Sequence, residues 1–60
     1  MKVATALGTV RIDGVYAVQS AAETAAKRWN LWTVLGDAGA YWTVKPRDAA
    51  RLEAAGYEIL

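Results

Sequence analysis

Leu31-Trp32-Thr33-Val34-Leu35, Gly36-Asp37-Ala38-Gly39 and Ala40-Tyr41-Trp42-Thr43-Val44-Lys45 form one continuous stretch, in which the triplet Trp-Thr-Val returns after ten residues across a glycine-rich break. Aromatic and β-branched residues on both sides of residues that tolerate positive φ read as a β-hairpin. With an odd number of loop residues, Thr33 faces Thr43, and Trp32, Val34, Trp42 and Val44 share one face. An even number splits the two tryptophans between faces. The odd register, with Gly36 or Gly39 left-handed, gathers the large apolar groups where a helix can cover them, and is preferred for that reason.

Downstream, Pro46 suits the first turn of a helix, because its missing N–H is no loss there, and Asp48 complements the positive end of the helix dipole. That helix is expected to run to about Ala55, with Ala49 and Leu52 inward and Arg47, Asp48, Arg51 and Glu53 outward. Gly56 ends it, and Tyr57-Glu58-Ile59-Leu60 returns as a short strand with Tyr57 and Ile59 on one face. Upstream, Ser20-Ala21-Ala22-Glu23 matches a capping box, so a helix is expected from Ser20. Ala22, Ala25, Ala26 and Trp29 fall on one face of it, Glu23 and Lys27 pair on another, and Asn30 can take the left-handed stop. Residues 2–18 alternate as strands. Asp13-Gly14 predicts a tight turn between Val10-Arg11-Ile12 and Val15-Tyr16-Ala17-Val18, with a looser bend at Leu7-Gly8.

Laying residues 16–33 over 42–59 matches Tyr16 with Trp42, Val18 with Val44 and the stop Asn30 with Gly56, a strand-helix-strand pattern read twice. Strand-helix-strand crossovers are right-handed almost without exception, and the pattern favours two helices on the same face of one mixed sheet. The expected fold is therefore α+β: a single domain over residues 1–60, with a mixed or antiparallel sheet and two helices on one face. The expected order is β-hairpin or meander, α, β-hairpin, α, β.

Composition narrows the chemistry. Sixty residues support one core, and at this size only about 60% of the unfolded chain's surface is buried on folding. There is no Cys, His or Phe, so Trp29, Trp32, Trp42, Tyr16, Tyr41 and Tyr57 must supply volume with the aliphatic residues. The commonest general base, the commonest metal ligand and the best side-chain nucleophile are all missing. Each carboxylate has a local backbone or surface role: Asp13 and Asp37 in turns, Glu23 and Asp48 at helix starts, Glu53 and Glu58 on solvated faces. Gly36-Asp37-Ala38-Gly39 lacks the length and the Lys of a phosphate loop, and Asp37 stands in no calcium-loop array. No enzymatic activity, cofactor or metal is expected. The N-terminal residues lack the apolar run of a signal peptide and no stretch approaches a membrane span, so the cytoplasm is the expected location.

What remains are surfaces. If both helices cover the tryptophan face of the hairpin, Leu31, Leu35 and Tyr41 lie on a bare second face and form the expected partner-binding patch. The function expected from it is a small interaction module, self-associating as a homodimer or binding a protein partner. The alternative is a nucleic-acid-binding accessory protein using Lys27, Arg28, Arg47 and Arg51, with Arg11 or Lys45 from the sheet. Against that stands a net charge of only +1. Tyr41-Trp42-Thr43-Val44-Lys45-Pro46-Arg47-Asp48-Ala49-Ala50-Arg51-Leu52, through Gly56-Tyr57, resembles the endings of short bacterial and phage proteins. The likeness covers about half the chain, names no family and implies no activity.

Overall fold

A computed structural model describes all 60 residues. β1 (Lys2–Thr5) and β2 (Gly8–Arg11) form a two-stranded antiparallel sheet. β3 (Gly14–Tyr16), α1 (Gln19–Trp29), β4 (Trp32–Leu35), β5 (Tyr41–Val44), α2 (Pro46–Ala54) and β6 (Glu58–Ile59) follow. The last four strands make an antiparallel sheet in the order β3-β5-β4-β6. The α+β class and the sequence of elements are as read from the chain, and no helix is long and apolar enough to cross a membrane.

The central hairpin has the odd register. Thr33 pairs with Thr43, Val34 with Trp42 and Leu35 with Tyr41, leaving the loop Gly36–Ala40. Within it, Ala38 (φ 56°) and Gly39 (φ 73°) are left-handed, and Gly36 N–H donates to the Ala40 carbonyl at 2.8 Å. Gly36 itself is extended; it is glycine because the Trp42 indole lies directly on it, leaving no room for a Cβ.

The layering differs from expectation. β3 and β4 run parallel with β5 between them, and β5 and β6 run parallel with β4 between them. Both crossovers therefore step the same way across the sheet, yet they start from strands that point in opposite directions. Right-handed connections then require the helices to lie on opposite faces. The burial pattern agrees. Ala49 and Leu52 of α2 join Val34, Trp42, Val44 and, from the first sheet and its exit, Val10 and Ile12 in one core. Thr33 and Thr43 point the other way and are buried on the side of α1, whose Ala22 and Ala26 are its buried residues. The two helices are thus not on one face: α1 covers one side of the sheet, and α2 with the β1–β2 hairpin covers the other.

Three local expectations change with it. Asp13-Gly14 is not a hairpin turn, because the chain leaves the first sheet after β2 and enters the second at β3. A Cβ at Gly14 would come within 2.8 Å of Thr43 Oγ1 and Tyr16 Cε2, so this glycine serves close packing. The tight turn is instead Ala6-Leu7, where Leu7 N–H donates to Thr5 Oγ1 at 3.2 Å and Gly8 takes φ 115°. The capping box does not form. α1 starts at Gln19 with extended Val18 as its N-cap, Ala22 N–H donates to the Val18 carbonyl at 3.3 Å, and Ser20 sits inside the first turn. Asn30 does stop the helix left-handed (φ 55°, ψ 45°), and both its N–H and that of Leu31 donate to the Ala26 carbonyl.

Candidate binding pole

α1 ends, β4 begins, β5 ends and α2 begins at the same end of the four-stranded sheet, so Lys27 to Trp32 and Val44 to Arg47 share one pole of the molecule. Two of the three tryptophans stand in the solvent there. Trp29 is 66% exposed and Trp32 50% exposed, whereas Trp42 is buried. Neither Trp29 nor Trp32 is the core residue that helical and strand periodicity suggest. Trp29 is the last residue of α1, a turn beyond Ala22 and Ala26, which are the buried residues of that helix. Trp32 shares the face of Val34 and Val44, but Ala49 and Leu52 pack with those two valines, and β6 pairs only with Val34 and Leu35.

Half-buried Leu31 forms a ridge between two surface grooves. One, about 660 Å³, has Trp32, Pro46 and Leu60 as apolar walls and carries Lys27 and Glu23. The other, about 350 Å³, is bounded by Trp29 and Tyr16 and carries Lys45 and Asp13. Arg28, itself exposed, holds its guanidinium 5.4 Å from the centroid of the Trp29 ring, a cation–π arrangement. Glu23, released from any capping role, is thereby a groove residue.

The residues singled out from the sequence fare differently. Leu31, Leu35 and Tyr41 do share a sheet face, but it is the face on the α1 side, and all three are half-buried. A bare patch requires both helices on the opposite face, and the strand order puts α1 on this one. Lys27 and Arg28 are exposed at the pole, and Arg47 is exposed beside Pro46 at the start of α2. Arg51, also exposed, lies a helical turn away from the pole toward the other end of α2. Lys45 joins the first three, and Arg11 lies 4.0 Å from Asp13 of the second groove. Missed by sequence reasoning were the exposure of Trp29 and Trp32. The available signal was positional: each flanks the Asn30 stop, where a helix face or strand face runs out of covering residues.

The opposite pole carries an acidic cleft, with Arg51 nearby in the last turn of α2. An open cleft of about 450 Å³ lies between the hairpin loop and the turn after α2, with Leu35, Ala55 and Tyr57 as walls, Asp37 and Glu58 as its charged residues and no cation in its lining. The Tyr57 hydroxyl donates to both Asp37 carboxylate oxygens, at 3.1 and 3.2 Å, and its ring centroid is 5.3 Å from that of Trp42. Desolvation first, then the hydrogen bond to Asp37 and its negative charge, raise the phenol above its ordinary pKa of 10.0. No three carboxylates converge anywhere in the fold.

No family model, no curated protein and no solved structure matches this chain significantly. The class is therefore set by the fold alone: a small α+β domain with two antiparallel sheets and two helices.

Proposed function

We propose that this chain is a small non-enzymatic interaction module that engages a protein partner, a second copy of itself included, through the Trp29-Leu31-Trp32 pole. Cytoplasmic work is part of that proposal. The observation that carries it is the exposure of Trp29 and Trp32 in a domain with so little bulk to spare from its core. Buried apolar surface contributes about 25 cal/mol per Å², and large aromatics with adjacent Arg are the residues most often found at the energetic centres of interfaces. The self-association patch moves accordingly, from Leu31, Leu35 and Tyr41 to Leu31 with its flanking indoles.

The test is a dilution series followed by analytical ultracentrifugation, on the natural chain and on a Trp29→Ala/Trp32→Ala variant. Concentration-dependent mass that the double variant loses, with unchanged far-ultraviolet circular dichroism, supports the reading. A natural chain that stays at 6.5 kDa at every concentration removes self-association.

One observation favours nucleic acid as a second reading. Lys27 and Lys45 line the grooves beside two indoles on which bases can stack, Arg28 lies against Trp29 and Arg47 follows Pro46, so these cations are local despite the small net charge. Against it, each groove also carries a carboxylate, Glu23 or Asp13, where a phosphate backbone would lie.

A further inference from the structure

We infer that the β1–β2 hairpin is a hinged lid: it opens as one unit about Asp13 while the four-stranded sheet and both helices stay folded, and its opening extends the apolar face on which Trp32 stands. Opening is a property of the single chain and does not depend on the function proposed above.

The two sheets are joined by very little. β1 and β2 pair only with each other, so both outer edges of the hairpin are unpaired. Their pairing extends one step further, with Ile12 N–H donating to the Met1 carbonyl at 2.7 Å, and stops there. Asp13 N–H already belongs to the other sheet, donating to the Thr43 carbonyl at 2.9 Å, and Gly14 packs closely on the Thr43 side chain. Between those two bonds the backbone bends at Asp13. No hydrogen bond and no ion pair joins residues 1–12 to residues 14–60. The Arg11–Asp13 contact, at 4.0 Å, ends on the hinge residue itself.

What holds the hairpin down is the packing of three side chains. Val10 and Ile12 are buried in the main core and Val3 is half-buried against it, whereas Lys2, Ala4, Thr9 and Arg11 are exposed. A two-stranded hairpin by itself is marginally stable at best, and this one has a single covered face. β5, by contrast, is bonded to β3 on one side and to β4 on the other. Regions with few buried apolar contacts and solvent-exposed backbone bonds open at lower free energy than the rest of a fold, in contiguous units. Residues 1–12 form such a unit. Lifting it takes Val10 and Ile12 out of the core that they share with Val34, Val44 and Leu52. Trp32 pairs with Val44 and shares its face, so the exposed indole and the uncovered valines become one apolar strip. In the closed form only the Trp32 end of that strip is free.

Native-state amide hydrogen exchange of the natural chain, followed by NMR in zero to mild urea, tests the lid. Corrected for intrinsic rates, the Val10 and Ile12 amides are expected to exchange about tenfold or more faster than those of Val34 and Trp42. Their rates should also change little with urea, because lifting the hairpin exposes little surface, whereas Val34 and Trp42 wait for global unfolding and accelerate steeply. Thiol labelling gives a second readout, since the natural chain has no Cys. Val10→Cys places a thiol under the lid and Thr43→Cys places one under α1, at positions 0% and 1% exposed. The first is expected to react about tenfold or more faster than the second. Trp29→Ala/Trp32→Ala should keep the difference between hairpin and sheet, which separates the lid from the binding pole.

Val10 and Ile12 amides as slow and as urea-dependent as those of Val34 and Trp42 would make the hairpin part of one cooperative unit and overturn the inference. Equal labelling of Val10→Cys and Thr43→Cys would do the same. Hairpin amides that exchange at the rate of an unstructured peptide would overturn it from the other side, because the lid would then have no closed state.

Discussion

Gly36→Ala offers a test in which packing and backbone freedom predict opposite signs. Gly36 is extended, at φ −88° and ψ −164°, a conformation alanine can adopt. Were backbone conformation the only issue, alanine would stabilise the protein by about 0.4–1 kcal/mol, because the unfolded chain has fewer states to lose. The added Cβ, however, falls 2.6 Å from Trp42 Nε1 and closer still to ring atoms Cδ2 and Cε2. Optimal contact lies at about 3.5–4.0 Å, so the indole must retreat by roughly 1 Å or more. It has little room to do so, being buried in the core and bracketed by the Tyr57 ring. Overpacking of this kind costs about 1–3 kcal/mol, and once the backbone gain is subtracted the net loss expected is about 1 kcal/mol. At roughly 4–8 °C per kcal/mol for so small a domain, Tm falls by about 6 °C. Urea unfolding followed by far-ultraviolet circular dichroism measures the change, since Trp42 emission is itself perturbed. In a Trp42→Leu background the clash is removed and only the backbone gain remains, giving a coupling energy of about 2 kcal/mol in the double-mutant cycle. A Gly36→Ala protein as stable as the natural chain, or more so, would refute the packing argument.

Leu52→Ala, at a fully buried position in the single main core, should cost about 2–4 kcal/mol in urea titration, a large part of the total of roughly 3–9 kcal/mol expected for a chain this long. Ala38→Gly should raise urea resistance by about 0.5 kcal/mol: alanine at φ 56° is penalised by roughly 1–2 kcal/mol, and the entropy glycine adds to the unfolded state only partly offsets the relief. Asp37→Asn should lower the Tyr57 pKa toward 10 without fully restoring it, because desolvation, the leading cause of the shift, persists; carbon NMR of the phenol Cζ across an alkaline titration reads this directly. Since the folded state holds the phenolic proton more tightly than the unfolded state, this contact's stabilisation is fully present below pH 10. It is lost as pH rises through the Tyr57 titration, so the natural chain should lose more stability than Asp37→Asn between neutral and strongly alkaline pH.

Local stereochemistry and periodicity determined much of this protein before any tertiary contact was considered. The Trp-Thr-Val echo and its glycine-rich break specified the hairpin and its register, since a one-residue slip would have reversed every side chain. Pro46, Asn30 and the Ala49 and Leu52 spacing likewise located helix α2, the left-handed stop of α1 and the inner face of α2. The Ser20 capping box and the Asp13-Gly14 turn were equally good local signals and were overridden. The path of the backbone between two sheets decided where α1 begins and where the chain bends.

The layering, and with it the candidate site, came from the tertiary structure alone. Doubled strand-helix-strand units put helices on one face or on both, according to whether the second crossover steps back across the sheet or onward. Strand order is a long-range property that no local pattern encodes. Here β6 goes onward to the edge beside β4, so α1 and α2 take opposite sides, the Thr33–Thr43 face is covered, and Leu31, Leu35 and Tyr41 are not a bare patch. The residue types at the pole were visible in the chain, but the exposure of Trp29 and Trp32 was not. Periodicity tells which way a side chain points, and only the packed arrangement tells whether anything lies there to meet it.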